Sequence, residues 1–418
     1  MVYYGLLLYF VLEYVRPTSY VPALEVLHLN AIVPLSVFMG SMASNGQVAL
    51  SEVLTSKNAR WIMFLLLLIG ISGLICDVKT FAWLKFEAVV GYFLVFLVLK
   101  KELYDLGRIK GVLATLVFVH LAVAALNPEL LSGDGERHYI ASGAFLGDGN
   151  DFALSVNIAI PLCMFLMLES QSRIKKVLYG SMLGVLILAV VATQSRGGIL
   201  ALSSVGLYYW IKSDRKILGI AGIAIVIFIV FAVAPAQFFD RMATMTQTGD
   251  EMEGSAQGRI VAWGAAMRMA ADNPLFGVGA GHFPVAFGTK FRPEGEGPMP
   301  WLTAHSSYFL LLGELGIPGI MFLLGIIVSN LIAGERVLRE VSQGEAQQAT
   351  TCTNLMIALN AGLIAFAVGG AFISAAYYPH IFLLAGLLQS GRDVSRKLMI
   401  AEAIAPKSQA ERVFATSN

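Results

Sequence analysis

Charge is what this chain has least of. Only 14% of its 418 residues are Asp, Glu, Lys or Arg, against 57% hydrophobic, and the mean hydropathy is +0.71. Soluble domains average about 25% charged and about 45–50% apolar. A chain this poor in charge would leave too much apolar surface in water, which excludes a soluble globular protein and leaves a polytopic membrane protein. Cysteine is equally scarce: Cys76, Cys163 and Cys352 each sit in an apolar run with no CxxC partner. They read as small core residues, not as a disulfide frame or a metal site. Also missing are the GxxxxGK[ST] phosphate loop, the dinucleotide fingerprint and HExxH. The six histidines, at 28, 120, 138, 282, 305 and 380, show no ligand spacing. A nucleotide-driven pump and a zinc protease therefore fit poorly, and neither metal nor cofactor is expected. A formal net charge of +1 gives no reason to expect nucleic acid as a partner. The first apolar stretch lacks a basic leader and a small-residue cleavage site, so the first helix itself should enter the membrane.

What is abundant is apolar sequence in long runs. A spanning helix takes about 20 mostly apolar residues. Twelve candidate runs lie near 1–15, 27–43, 60–76, 81–99, 110–126, 152–168, 177–194, 197–211, 217–234, 305–330, 352–374 and 378–390. The 305–330 run contains Gly316-Ile317-Pro318-Gly319, which predicts a kink. About nineteen of the 29 Lys and Arg fall in 44–60, 100–110, 169–176, 212–216, 334–350 and the segment after Ser390. Short loops rich in Lys and Arg stay in the cytoplasm, so both termini are placed inside. Two longer loops then face outward, 127–151 and 235–304, and the second, between helices nine and ten, is about 70 residues long. Connections are usually a few residues, so chemistry is expected outside. The expected fold is an all-α polytopic membrane protein of about twelve transmembrane helices, whose large outer loop contains short surface helices. The chain divides into N-terminal transmembrane helices (1–126), a core that includes the large loop (127–334), C-terminal transmembrane helices (335–390) and a cytoplasmic tail (391–418), disordered after Lys407.

The large loop opens on Gly249-Asp250-Glu251-Met252-Glu253-Gly254, whose acids read as solvated. Gly258 to Ala271 predicts a short helix stopped by Asp272-Asn273-Pro274. Its Ile260, Trp263, Met267 and Ala270 form one apolar face, which would lie flat on the membrane. Arg259 is placed in the first turn, where free N–H groups and the helix dipole favour an anion. A guanidinium there makes a phosphate clamp; the alternative is a surface arginine offsetting the acidic run. Arg268, nine residues on, points about 180° away and cannot join Arg259 from the same face. Gly277-Val278-Gly279-Ala280-Gly281, before His282, reads as a flexible turn.

His305 stands at the outer mouth of the kinked run, where an imidazole can exchange protons near neutral pH; a capping histidine is the alternative. Glu314 in the same run reads as a structural hydrogen-bonding group, since a carboxylate in an apolar helix is costly unless paired. Arg196, in Thr193-Gln194-Ser195-Arg196-Gly197-Gly198, falls at the outer junction of two runs. The glycines after it predict a broken helix and a close backbone approach, with a snorkelling arginine as the alternative. Asn150-Asp151 reads as an N-cap.

Four places together resemble the O-antigen ligase and polymerase superfamily of bacterial envelope glycosyltransferases. His305-Ser306, nine residues to Gly316, then Gly319, resembles that family's His-[Asn/Ser/Gln]-x9-Gly-x-x-Gly signature. The second place is Gly258-Arg259…Trp263…Met267…Asn273-Pro274-Leu275-Phe276-Gly277-Val278-Gly279…Phe283; the third is Ser195-Arg196-Gly197-Gly198, and the fourth Gly147-Asp148-Gly149-Asn150-Asp151-Phe152-Ala153. The similarity covers 130 to 330 well and the first 120 residues in pattern only. It implies a multi-pass protein of the bacterial inner membrane with a periplasmic active site. There, a glycan would move from undecaprenyl diphosphate to an acceptor sugar hydroxyl with inversion, without metal or cofactor. The acceptor would be lipid A–core for a ligase or another glycan for a polymerase, with membrane lipid around it. By the same resemblance Arg196 and Arg259 would hold the diphosphate and stabilise its leaving charge, and His305 would orient or deprotonate the acceptor hydroxyl. Arg268 and His282 are further substrate-binding candidates. Chain length and motif set favour a ligase; polymerases and protein O-oligosaccharyltransferases share the histidine motif. A membrane transporter, from another class, would carry paired midplane charges and inverted repeats, and few midplane charges are present.

Overall fold

Each of the twelve apolar runs coincides with a helix in the computed structural model, which describes residues 1–44, 48–76, 78–131, 140, 144–233, 239, 242–243, 254–293, 301–342 and 347–404. These helices are α1 (Val2–Val15), α2 (Leu29–Ala43), α3 (Lys57–Ile75), α4 (Lys79–Glu102), α5 (Leu106–Leu126), α6 (Gly149–Glu169), α7 (Arg173–Ala192), α8 (Arg196–Lys212) and α9 (Lys216–Val233). After the loop helix α10 (Gly254–Asp272) come α11 (Ser307–Val341), α12 (Gln347–Gly369) and α13 (Pro379–Ile404). The fold is all-helical, with no strand among the described residues. Among the described residues, eight segments are long and apolar enough to cross a membrane: Pro22–Ala43, which contains α2, and then α3 to α7, α11 and α12. The acidic stretch expected at 249–253 and the tail after Lys407 lie outside the described residues.

The centre of the bundle is α6, which packs against α5, α7, α8 and α12. The apolar window of α6 is 78% buried, whereas that of α7 is only 22% buried, so α7 turns most of its side chains outward. Helix starts follow the sequence chemistry: Ser56, Asp105, Asp148, Ser195 and Ser306 cap α3, α5, α6, α8 and α11, each accepting from a first-turn N–H. At α6 the cap is Asp148, not Asn150-Asp151, whose backbone N–H groups are the donors, at 2.7 and 3.0 Å.

Three expectations change. The run read as 352–374 stops at Gly369, and 370–378 forms a turn segment leading into α13. Next, α10 begins at Gly254, so Arg259 is its sixth residue and lies beyond the first turn. Finally, the α10 stripe does not act as one face. Ala262, Ala265, Ala266, Met269 and Ala270 are buried, and α10 packs on α11, while Ile260 and Met267 are more than half exposed. Alanines allow the closer approach, so the small side, not the bulky one, meets the bundle.

The kink in α11 is a tertiary joint. Gly316 has φ 66° and ψ −155°, a region open to glycine but strained for other residues. The carbonyls released by the break are taken up by the loop after α10: Val278 N–H donates to Gly313 O and Gly279 N–H to Glu314 O, both at 2.9 Å, while Ile317 N–H donates to Pro274 O at 2.7 Å. The glycine-rich turn is therefore docked, and these three backbone groups at the kink find partners in the loop after α10.

Candidate functional site

Two turns of the same construction lie at one end of the bundle. In the first, Gln194 is left-handed (φ 51°), Ser195 caps α8 by accepting from Gly198 N–H at 3.1 Å, and Arg196 is the first helical residue. In the second, His305 is left-handed (φ 45°), and Ser306 caps α11 by accepting from Phe309 N–H at 3.5 Å. Left-handed residues other than glycine are uncommon, though histidine is enriched among them. They persist only where surrounding structure holds them, which is a recurrent property of functional sites.

Both turns are held by the same segment. A Cβ built on Gly197 would stand 2.9 Å from the Phe372 Cβ, and one on Gly198 2.8 Å from the Ala153 Cβ. The start of α8 is thus clamped between the 370–378 segment and α6, and Asn157 of α6 adds a bond from Nδ2 to Gly198 O at 2.9 Å. This is the close approach that the glycines after Arg196 predict. On the other turn, Ser307 N–H donates to Gly370 O at 2.7 Å. Its Oγ donates to Ile373 O at 2.7 Å and accepts from Ala375 N–H at 3.0 Å. Thr303 and Ser374 hydroxyls meet at 3.0 Å. His305 itself is half-buried.

Arg259 reaches this end through α10. Trp263 donates from Nε1 to Ala304 O at 3.0 Å, next to His305, and its ring stacks on Phe309 with centroids 4.9 Å apart. Arg259 precedes Trp263 by four residues, so the two share one face of α10. The Arg196 and His305 turns are thus both tied to 370–378, and α10, which carries Arg259, is tied to the residue before His305. Arg196 and His305 at two helix starts, with Arg259 further along α10, suit an anionic group and a proton-bearing partner.

The other candidates are engaged elsewhere. Arg268 NH2 donates to Phe291 O at 2.8 Å, which fastens α10 to the Phe287–Phe291 turn. Buried His282 accepts from Val78 N–H on Nε2 at 3.2 Å, and its Nδ1 lies 3.2 Å from Ala280 O. Both ring nitrogens are spent on backbone, so His282 ties the docked loop to the start of α4. Glu314 is structural as expected, and more connected than the sequence shows. Its carboxylate accepts from Gly281 N–H at 2.8 Å, Phe283 N–H at 3.0 Å and the Tyr377 hydroxyl at 2.9 Å. Burial and that carboxylate push the Tyr377 hydroxyl well above its ordinary pKa, so it remains a donor. Tyr378 next to it bonds Asp151 at the start of α6. The 370–378 segment is the element that sequence reading missed; its signals were Gly369-Gly370 and Tyr377-Tyr378-Pro379, punctuation at both ends of an apolar stretch.

Residues 181–324 match the family model described as O-Antigen ligase. The resemblance to the O-antigen ligase superfamily is thereby shown. The match runs from within α7 to within α11 and takes in Arg196, Arg259, His305, Glu314 and Gly316. It supports a membrane enzyme of the ligase and polymerase type, glycosyltransferase-like in activity. A comparison with curated proteins finds no match. The ligase-like stretch is completed by parts outside it, since 370–378 braces both of its turns and Asp148 caps the helix packed against Arg196's.

Proposed function

We propose that this protein is an O-antigen ligase-like inverting glycosyltransferase of the bacterial inner membrane. It moves a glycan from undecaprenyl diphosphate to an acceptor sugar, lipid A–core, on the periplasmic face, and needs no metal. Arg196 and Arg259 hold the diphosphate and stabilise charge on it as it leaves. His305 orients the acceptor hydroxyl and takes its proton. The observation that carries this reading is the pairing of the Arg196 and His305 turns, both left-handed, both serine-capped and both gripped by 370–378. Such bracing suits a site whose groups must hold position while charge develops between them.

In this reading about twelve helices cross the membrane, both termini are cytoplasmic and 235–304 is periplasmic. Reporter fusions after Asp105, Lys175 or Arg215 behave as cytoplasmic and fusions within 240–300 as periplasmic; a periplasmic signal from Arg215 reverses the orientation and moves the site to the wrong side. The decisive functional test is the lipopolysaccharide ladder of a deletion strain on a gel. Loss of the whole ladder above core marks a ligase, whereas a single-repeat band marks a polymerase.

A further inference from the structure

The end of the bundle opposite His305 carries a cleft of about 520 Å³. It opens between α5, the end of α6 and the start of α7, and its lining includes Lys110, Glu169, Ser170, Ser172, Lys175 and Tyr179. Glu169, the one carboxylate there, is already answered: Lys110 Nζ lies 3.3 Å from it, the Thr351 hydroxyl donates to it at 2.8 Å and Asn354 Nδ2 at 3.4 Å. Lys175 then adds an exposed positive charge, so the cleft as a whole favours an anion. The Ser172 side chain does not cap α7, and its first-turn N–H groups add to the same preference.

What kind of anion follows from the wall beside it. Down α7 from the cleft, Ile174 is 80%, Val177 72% and Leu178 49% exposed, on a helix whose apolar window is 22% buried. A soluble anion has no use for that surface; an amphiphile does. We infer that the cleft seats the phosphate of an anionic glycerophospholipid whose acyl chains lie along α7. Basic pockets between helices at a membrane surface recognise anionic headgroups by this chemistry, and the volume falls in the usual range of small-ligand sites, about 300–1,000 Å³. The inference is independent of any role for His305 or the arginines.

The test uses the purified full-length protein in mixed micelles of phosphatidylglycerol and phosphatidylcholine with matched chains, read by native-state mass spectrometry. Phosphatidylglycerol is expected to be retained in preference. Each lysine near a membrane surface is worth about fivefold in affinity for anionic lipid, so Lys175→Gln should lower retention about fivefold and Lys110→Gln with Lys175→Gln further. Lys175→Gln leaves the Glu169 network intact, so it reports even if the double variant misfolds. Arg339→Gln, exposed near the end of α11, should change nothing. Equal retention of the two lipids, or an equal loss from Arg339→Gln, overturns the inference. Displacement of bound phosphatidylglycerol by millimolar inorganic phosphate also overturns it, because the cleft would then be a site for a free anion.

Discussion

The two ends of the bundle use their basic residues in different ways. At the end reached by 100–110, 169–176 and 212–216, positive charges meet carboxylates. Lys110 pairs with Glu169 at 3.3 Å, Arg108 with Glu102 at 2.6 Å and Arg396 with Glu340 at 3.0 Å, and Lys100 and Lys212 pair with Asp393 and Glu335. At the other end the unusual feature is the backbone: Gln194 and His305 left-handed, α11 broken at Gly316, and helices starting beside Arg196 and His305. The exposed pair Arg396–Glu340 is worth about 0–1 kcal/mol, whereas Lys100, Glu102 and Glu169 are mostly buried and cost more to leave unpaired. Left-handed residues other than glycine cost about 1–3 kcal/mol each, an expense met here by Ser307, Thr303 and Trp263. The basic end can therefore lose its exposed pairs cheaply, whereas the braced end rests on a few backbone contacts made by Ser307 and Trp263.

The largest effect should come from His305→Gly. Glycine accepts the left-handed turn that His305 adopts, so this variant removes the imidazole and keeps the backbone. Transfer should fall about 10²–10⁴-fold while thermal stability and binding of the lipid-diphosphate donor persist, measured in parallel on purified protein. If donor binding disappeared with activity, His305 would be a diphosphate ligand; if transfer survived, the strained backbone alone would have been the feature of value. Next come Arg196→Ala and Arg259→Ala, each expected to lower transfer about 10²–10³-fold with protein still in the membrane. Lysine at either position should recover little, because it lacks the bidentate fork.

A smaller effect separates bracing from chemistry. Glu314→Gln places an amide N–H₂ where backbone donors now point, leaving buried N–H groups short of an acceptor. That costs about 1–3 kcal/mol, visible as a lower melting temperature. Transfer should fall through kcat more than through donor affinity, because Tyr377 and the 370–378 segment lose their anchor. Tyr377→Phe should do less, and adding it to Glu314→Gln should have little further effect; full additivity would show that the two do not act through one joint. The smallest effects are expected from Arg268→Ala, about 1 kcal/mol for its one bond to Phe291 O, and from Arg396→Gln at the basic end, about 0–1 kcal/mol. Neither should change transfer by more than a few-fold. A loss with Arg268→Ala as deep as with Arg259→Ala would move the site to the other face of α10.

Most of the architecture was legible because apolar runs and breakers act locally. Leu106–Leu126 or Gly149–Glu169 must be helical wherever they sit, since an apolar run of this length has to satisfy its backbone internally in lipid, although the cap of the second was read two residues late. Arg259, His305 and Gly316, singled out by their spacing, fall within the matched stretch 181–324. What was not legible depended on contacts far along the chain. The start of α10 was misplaced by four residues, and its inward face proved to be alanines, because a hydrophobic stripe does not say which side its neighbour can approach closely.

His282 illustrates the same limit. By sequence it is a histidine after a glycine-rich turn, a fair candidate for a ligand; only the arrival of Val78, 204 residues away, on its Nε2 makes it a strut. Composition and periodicity determined that this is a helical membrane protein, where it breaks, and which end carries the bases. Tertiary structure alone decided that 370–378 would brace two turns more than 60 residues away, and that the kink at Gly316 would be a joint for the loop after α10. The physical reason is that a backbone group freed by a glycine or proline is only a vacancy in the sequence, and which donor fills it depends on how the whole chain packs.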